Sequence, residues 1–556
     1  MLNQMDAVDA AVAAGFTLSV VRPESCGLGG GGFMVIYLPD DPTHGLVKQA
    51  LNFRETAPAA SRFDMFERSK LPDASTRSGL AVAVPGTVAG LLEALDTYGT
   101  LDRATVLQPA IDAAVGGFVA DSTFVEAARH AAEKCPAEQR RAGDPFWDRM
   151  LGEGKIKVGQ RVRNLDQAAV LADIAAHGRD GFDRGRAGAH LVEAARKAGG
   201  ILTLEDVQDY APVWSEPIEF AYGTNTFLTM PLPSSGGVVF AETLGIFHLA
   251  SNYRGVNLAQ GMGWDGLAWH VYIESLKHAF ADRSRWLADP RYVDVPVNMF
   301  MSDMYAHKRA GRIEAGQTLP SEDYGTRPAI NGSELPDDSG TSHLSVVDQW
   351  GGAVACTQTI NLSFGAQIVP TGCGFCLNNE MDDFTTVRDQ ANAFGLVQSD
   401  RNLPEPGKWP LSSMSPTIVL AGPMGNPDAS NHRRVVAVAG ASGGPRIITG
   451  TMEVLMHVLV DGMNAADAVA APRLHHQWLP NVVKLEPGLR EGGGQAGSMH
   501  QDEQAGAARL RKALRERGHT LGKINEVGVV QLIVREKEGG LHAACDPRKG
   551  GKPAGH

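Results

Sequence analysis

A threonine that follows a glycine where a strand begins can act on its own backbone. Residues Asp338-Ser-Gly-Thr-Ser-His-Leu-Ser345 contain such a pair. Gly340 has no side chain and tolerates backbone angles closed to other residues. Thr341 follows as the first residue of an expected strand. Its hydroxyl can attack the preceding carbonyl and cut the chain. The freed Thr341 would carry an α-amine, whose ordinary pKa of about 7.7 to 8.0 suits a general base near neutral pH. One residue would then be both nucleophile and base. Read alone, a Gly-Thr pair is a turn entering a strand, so its surroundings must decide.

Other patterns carry less. Cys373-Gly-Phe-Cys376 is a C-x-x-C, but no second pair or suitable His pair completes a zinc site. A redox C-x-x-C should open a helix, whereas Phe375-Cys-Leu377 reads as extended, so two small residues in a buried strand are expected. Loss of activity in a Cys376→Ser variant would reveal a thiol oxidoreductase instead. Gly27 to Gly32 satisfies G-x-G-x-x-G, yet a helix precedes it and the strand Phe33–Leu38 follows. That order is the reverse of a dinucleotide site. These glycines are expected to let backbone pass close to something. His475 and His476 are adjacent, so on a strand they face opposite ways and share no metal.

The elements that must position this chemistry are legible. The chain has 556 residues, enough for three to four domains at about 150 residues each. Its 43% hydrophobic and 21% charged content is that of a soluble globular protein and excludes general disorder. Net charge of −12 argues against nucleic-acid binding. No run of 18 apolar residues offers a membrane span. Six cysteines are too few for a disulfide scaffold. A helix is predicted over Asp6–Val21, and residues 84–290 read as mainly helical, with helices at Thr87–Tyr98, Leu165–His177, Ala187–Ala198 and Val238–His248. Residues 314–340 read as an exposed or mobile polar linker. Strands are predicted after it, at Leu344–Asp348, Ala353–Asn361, Ser415–Leu420, Arg434–Ala439 and Glu526–Val534, with a helix over Arg446–Val460.

A series of longer motifs changes the standing of Gly340-Thr341. Ala7-Val-Asp-Ala-Ala-Val-Ala13, Gly29-Gly-Gly-Gly-Phe-Met34 and Phe53-Arg-Glu-Thr-Ala-Pro-Ala59 lie upstream. Thr341-Ser-His-Leu-Ser-Val-Val-Asp348, Thr357-Gln-Thr-Ile-Asn-Leu-Ser-Phe-Gly365, Leu377-Asn-Asn-Glu-Met-Asp-Asp-Phe384, Pro410-Leu-Ser-Ser-Met-Ser-Pro-Thr417 and Ala471-Pro-Arg-Leu-His-His-Gln-Trp478 follow in order. Together, over nearly the whole chain, they resemble the γ-glutamyltransferase (glutathione hydrolase) family of N-terminal-nucleophile hydrolases. The resemblance implies an α+β fold, a four-layer αββα sandwich. It implies a proenzyme cut before Thr341 into a large chain, 1–340, and a small chain, 341–556, held as a heterodimer. It implies γ-glutamyl substrates such as glutathione, amino-acid or peptide acceptors, and no cofactor or metal. No nucleic-acid or membrane partner is expected.

The same resemblance assigns residues. Thr359 falls where the family's threonine hydrogen-bonds the nucleophile. Asn361, Glu380 and Asp383 match the group that grips the substrate α-ammonium, three acceptors around one cation. As bare sequence, Glu380 and Asp383 read as a solvated acidic run. Arg54, Ser412 and Ser413 match the α-carboxylate clamp. Gly443-Gly444 matches the oxyanion hole, within Ala441-Ser-Gly-Gly-Pro-Arg446 where the family has Ser-Pro-Gly-Gly-Ser-Arg. Asp546-Pro-Arg548 reads as structural. Thr385 to Lys408 matches a lid loop, and Phe394 stands where many bacterial members have a tyrosine. Glu380 stands where some bacterial members have Gln.

The family also carries an export signal and a further stretch before its first helix. In-frame coding sequence upstream of Met1 is therefore expected to supply a strand and an export signal. As given, the sequence reads as cytoplasmic; with such a leader it would be periplasmic or extracellular. Two rivals stand beside the transferase reading: a cephalosporin (β-lactam side-chain) acylase of the same fold, and an uncleaved, inactive binding protein.

Overall fold

The computed structural model describes residues 5–71, 73–135, 140, 143–263, 265–325, 340–422, 433–491, 501–536 and 538–555. The strands of two large sheets are, in chain order, β1 (Gly31–Asp41), β2 (Gly45–Phe53), β3 (Val213–Ser215), β4 (Ile218–Tyr222), β5 (Asn225–Thr229), β6 (Gly340–Val347), β7 (Ala353–Asn361), β8 (Thr417–Ala421), β9 (Val435–Ser442), β10 (Val529–Arg535) and β11 (Leu541–Cys545). The first sheet runs β3-β2-β1-β7-β6 and the second β11-β10-β9-β8-β5-β4. Every pairing in both is antiparallel.

The sheets pack face to face, with β9 across β6 and β7. Helices α1 (Ala7–Val21) and α2 (Thr87–Tyr98) cover the outside of the first sheet. Helices α3 (Gly236–Arg254), α4 (Gly266–Trp286) and α5 (Arg446–Leu459) form the opposite outer layer, with α5 against β9 and β10. Central strands are therefore covered on both faces. That explains why β1 reads as a continuous apolar run, Gly-Gly-Phe-Met-Val-Ile-Tyr-Leu, and not as an alternation. The helix predicted from Asp6 starts at Ala7, because Asp6 is its N-cap and accepts from the Asp9 amide at 2.8 Å.

Several strands of these sheets fall outside the predicted ones, Gly45–Phe53 and the β4–β5 hairpin among them. Gly45–Phe53 mixes Leu, Lys, Gln and Ala, and it is strand only because β1 pairs along it. The 84–290 region is not helical throughout: β4 and β5 form a hairpin there. Its alternation, Ile218-Glu-Phe-Ala-Tyr222 then Gly223, was a readable strand signal. The described part of the 314–340 linker is mostly exposed, as expected, at 314–317, 320, 322 and 323, but it is anchored at three points. Tyr324 is buried, the Thr318 hydroxyl donates to Glu274 at 2.8 Å, and the Trp478 indole donates to the Ser321 carbonyl at 2.9 Å. Residues 326–339 lie outside the described residues. Among the described residues, no helix is long and apolar enough to cross a membrane.

Candidate active site

The β6–β7 hairpin sets the site. Thr341 lies opposite Thr359, but Gly340 lies opposite Asn361, so the register slips by one at the Gly340–Thr341 bond. This brings three oxygens together. The Thr359 hydroxyl lies 3.0 Å from the Thr341 hydroxyl and donates to the Gly340 carbonyl at 2.7 Å. It also accepts from the Asn361 amide at 2.8 Å. Thr359 has one O–H, and that proton is already given to Gly340. The Thr341 hydroxyl must therefore be the donor in the Thr–Thr pair. Thr359 thus polarises the Gly340 carbonyl and orients the Thr341 oxygen at once. Thr341 and Thr359 are 4% and 2% exposed, so bulk water does not compete for these bonds.

The glycine run explains how the strands come this close. A Cβ on Gly30 would sit 2.0 Å from the Thr359 carbonyl oxygen, and one on Gly32 would sit 2.4 Å from that of Thr357. The expectation that these glycines admit a close neighbour holds, and the neighbour is β7.

A buried charged cluster lies beside the threonines. Arg54, 1% exposed, is ion-paired with Glu380 and, at 2.5 Å, with Asp383. Burial thus replaces the solvated acidic run expected from bare sequence. Burial raises Glu380 well above the usual carboxylate range; Arg54 opposes the shift, and neighbouring Glu55 and Asp383 add to it. Burial likewise pushes Glu55 up to about 7. Neither Glu55 carboxyl oxygen has a hydrogen-bond partner among the described residues. Arg283 from α4 completes the cluster, donating to the Ser413 hydroxyl at 3.2 Å and to the Ser235 hydroxyl at 2.9 Å. Burial pulls its pKa down to about 10, against the attraction of Asp383.

Gly443 and Gly444 connect β9 to α5, whose N-terminal dipole favours negative charge. Their φ values are +132° and +58°. A Cβ on Gly444 would meet the Phe394 ring at 2.5 Å, so the lid's Phe394 rests directly on this turn. Gln477 holds the lid by donating to the Gly395 carbonyl at 3.1 Å, while the Gln398 and Asn402 amides donate to the Asp383 carbonyl at 2.9 and 2.7 Å. Gly444→Ala is expected to strain the turn and displace Phe394. If this turn holds the oxyanion, pulling one of its amides out of place would cost up to about 10²-fold in kcat, and steady-state kinetics on a γ-glutamyl anilide checks it.

Arg54, Thr341, Thr359, Asn361, Glu380, Asp383, Phe394, Ser412, Ser413 and Gly444 all line one cavity of about 20 Å³. That is room for roughly one water. Gly443 sits one residue behind the lining. The Asn361 side chain donates to the Asn379 carbonyl at 2.9 Å, and the Ser412 hydroxyl accepts from the Met414 amide at 3.2 Å. Sequence reasoning missed Glu55, Arg283 and His343. Glu55 was written beside Arg54, but nothing marked it as buried. Arg283 lies in a helix buried from Ala268 to Arg283, and nothing in the local sequence marks that burial. His343 shares a strand face with Thr341 and bonds the Thr357 hydroxyl at 2.8 Å; burial drives its pKa down to about 3, so it stays neutral.

The remaining motifs stay outside. Cys373 and Cys376 are buried free thiols, and burial raises both pKa values, that of Cys373 to about 11. This suits packing and not thiolate chemistry. His475 bonds Thr449 and Gln477, while His476 bonds Asn481, so the two face apart. Asp546 pairs with buried Arg473 and with Arg548, in keeping with a structural part.

This geometry has relatives. The chain is 35% identical to the "Glutathione hydrolase proenzyme" of Escherichia coli (strain K12) over 549 residues, which cover 98% of this chain and 86% of that protein. A solved γ-glutamyltranspeptidase from Pseudomonas nitroreducens matches at 33% identity and a TM-score of 0.52, covering 58% of this chain and 92% of that one. A cephalosporin acylase from Bacillus halodurans superposes with a TM-score of 0.79 over 100% of this chain and 93% of its own, at 24% identity, a likeness that speaks for the fold alone. A family model described as gamma-glutamyltranspeptidase matches residues 1–556, and the chain belongs to that family.

Proposed function

We propose that the chain is the precursor of a γ-glutamyltransferase and glutathione hydrolase. It cuts itself before Thr341 into 1–340 and 341–556, which stay together as a heterodimer. The observation that carries this reading is the Thr341–Thr359–Gly340 hydrogen-bond chain at an uncut bond. The Thr341 oxygen attacks the Gly340 carbonyl carbon, and the hydroxyl proton passes to the Thr341 nitrogen as the C–N bond breaks. Water then hydrolyses the resulting ester, leaving a Gly340 carboxylate and a free Thr341 amine.

That amine serves as base in turnover. Thr341 Oγ attacks the γ-glutamyl amide carbonyl, and the amine half leaves with a proton. Water or an acceptor amine then releases the acyl group. The backbone turn at Gly443-Gly444 faces the oxyanion. The substrate's dipolar head suits the cluster: its carboxylate opposes Arg54 and Arg283 beside Ser412 and Ser413, and its ammonium opposes Glu380, Asp383 and Asn361. A cephalosporin side chain with no α-amino-acid end would leave these charges unanswered.

Denaturing electrophoresis, N-terminal sequencing of the smaller band and assays on glutathione and a γ-glutamyl anilide test the reading. Two bands, with Thr341 leading the smaller, and activity on both substrates are expected. A single inert band overturns it. Asp383→Ala should remove a charge-assisted contact of about 1.5 to 3 kcal/mol, an efficiency loss of at least about tenfold on glutathione. Normal glutathione kinetics in a cleaved Asp383→Ala protein would remove Asp383 from the site and favour an acylase.

A further inference from the structure

A second cavity, of about 910 Å³, opens where the catalytic strand ends, and no step above uses it. Two chain connections place it against the active site. Leu362 and Ser363 line it and directly follow Asn361, which lines the catalytic cavity. Arg77 lines it two residues after Ser75, whose hydroxyl donates at 2.7 Å to Asp382, the neighbour of Asp383. A Cβ on Gly340 would sit 2.1 Å from the Leu362 carbonyl oxygen, so the scissile bond itself abuts this rim.

We propose that this groove holds the amine half of the amide, the departing peptide in hydrolysis and the acceptor in transfer, and that Arg77 and Lys134 bind its free carboxylate. The proposal rests on the γ-glutamyl reading and extends it to the other side of the reacting bond. Three independent observations carry it. The Ser363 hydroxyl is buried and has no partner among the described residues, although it lines the groove. Such a group calls for a ligand that supplies one. The lining is also strained: Gln367 and Asp73 have φ values of +59° and +48°, and Asn361 and Phe364, which flank the lining pair Leu362-Ser363, have +74° and +61°. Non-glycine residues in this region persist where the surroundings hold them, which is common at ligand clamps.

The charges supply the third observation. Arg77 donates to the Lys134 carbonyl at 3.3 Å, so the two cationic residues lie together. Neither is ion-paired with a carboxylate among the described residues. The acyl side of the site already holds its own cation, Arg54. Asp73, Glu126 and Glu526 share the lining, and beside them this second cationic pair fits a second carboxylate, that of an amino acid or short peptide. An anilide has none.

Wild-type enzyme provides the first test, with glutathione against glutathione amidated at its glycine carboxylate. The acid should be used with at least about fivefold higher kcat/KM, as one half-exposed and one exposed charge contact together would supply. The double variant Arg77→Gln, Lys134→Gln should lower the ratio of glutathione to anilide efficiency by a similar factor, through KM, and should erase the preference for acid over amide. The two single variants, each at a solvent-reaching side chain, serve should the double variant fail to cleave itself. An active wild type that treats acid and amide alike overturns this proposal and leaves the γ-glutamyl reading standing. A wild type inert on every γ-glutamyl substrate overturns both.

Discussion

Thr341→Ala should run as one band near 59.1 kDa and hydrolyse neither glutathione nor an anilide. The reason is the proton accounting at Thr359. Its single O–H is committed to the Gly340 carbonyl, so the attacking oxygen can come only from Thr341. Without it there is no N-to-O acyl shift, no free amine and no acyl-enzyme. Activity should fall by on the order of 10³-fold or more, as removal of a nucleophile does elsewhere. Thr341→Ser keeps the oxygen and should still cleave, more slowly, because serine lacks the methyl that restricts the rotamer. An active, uncleaved Thr341→Ala protein would require another nucleophile, and the roles given to Thr359, Gly443 and Gly444 would fall with it.

Asp546→Ala should have the largest effect on stability. The Asp546 and Arg473 side chains are both 0% exposed and paired, and Asp546 also binds Arg548 at 3.0 Å and the Val530 amide at 2.9 Å. Its removal strands a buried guanidinium at a cost of about 3 to 5 kcal/mol. The damage should reach the site. Arg473 donates to the Val527 and Gly528 carbonyls at 3.0 and 3.2 Å, and Gly528 backs onto Gly443. Burial alone would raise the Asp546 pKa, but Arg473 and Arg548 hold it below the usual value. A depressed folded-state pKa gives stability that is present above the unfolded-state pKa and lost as pH falls through the folded one. Thermal melts should therefore separate wild type and variant widely at pH 7 and bring them together in acid. Equal melting temperatures at pH 7 would contradict the pairing.

What the sequence disclosed follows from the range of the forces involved. Helices such as Thr87–Tyr98 and Leu165–His177 and the strand Ala353–Asn361 are set by local periodicity, and the structure ends them where the pattern does. Gly45–Phe53 is strand by virtue of its pairing with β1, from Asp41 opposite Gly45 to Gly32 opposite Phe53, and its own composition does not announce that pairing. In the site, Thr341, Thr359, Arg54 and Asp383 were readable because long motifs surround them. Glu55 and Arg283 were not, because their importance comes from burial beside other charges, and burial belongs to the fold. The acidic run at 380–383 shows the same limit in reverse: locally it looks solvated, and only its docking against Arg54 makes it interior.

The one-residue slip between Gly340 and Thr341 has a further consequence. From Thr341 to Val347 the hairpin pairs without interruption, ending at Val347 opposite Ala353. The proposed cut at Gly340–Thr341 would therefore be counted from the Asp348–Gly352 turn. The hairpin works as a ruler with a single notch. Deleting one residue between Ser342 and Val347 would turn Thr341 to the other face of the sheet, and an intact Gly-Thr dipeptide would no longer be an address for cleavage. Substituting residues upstream of Ser339 would leave the measurement unchanged.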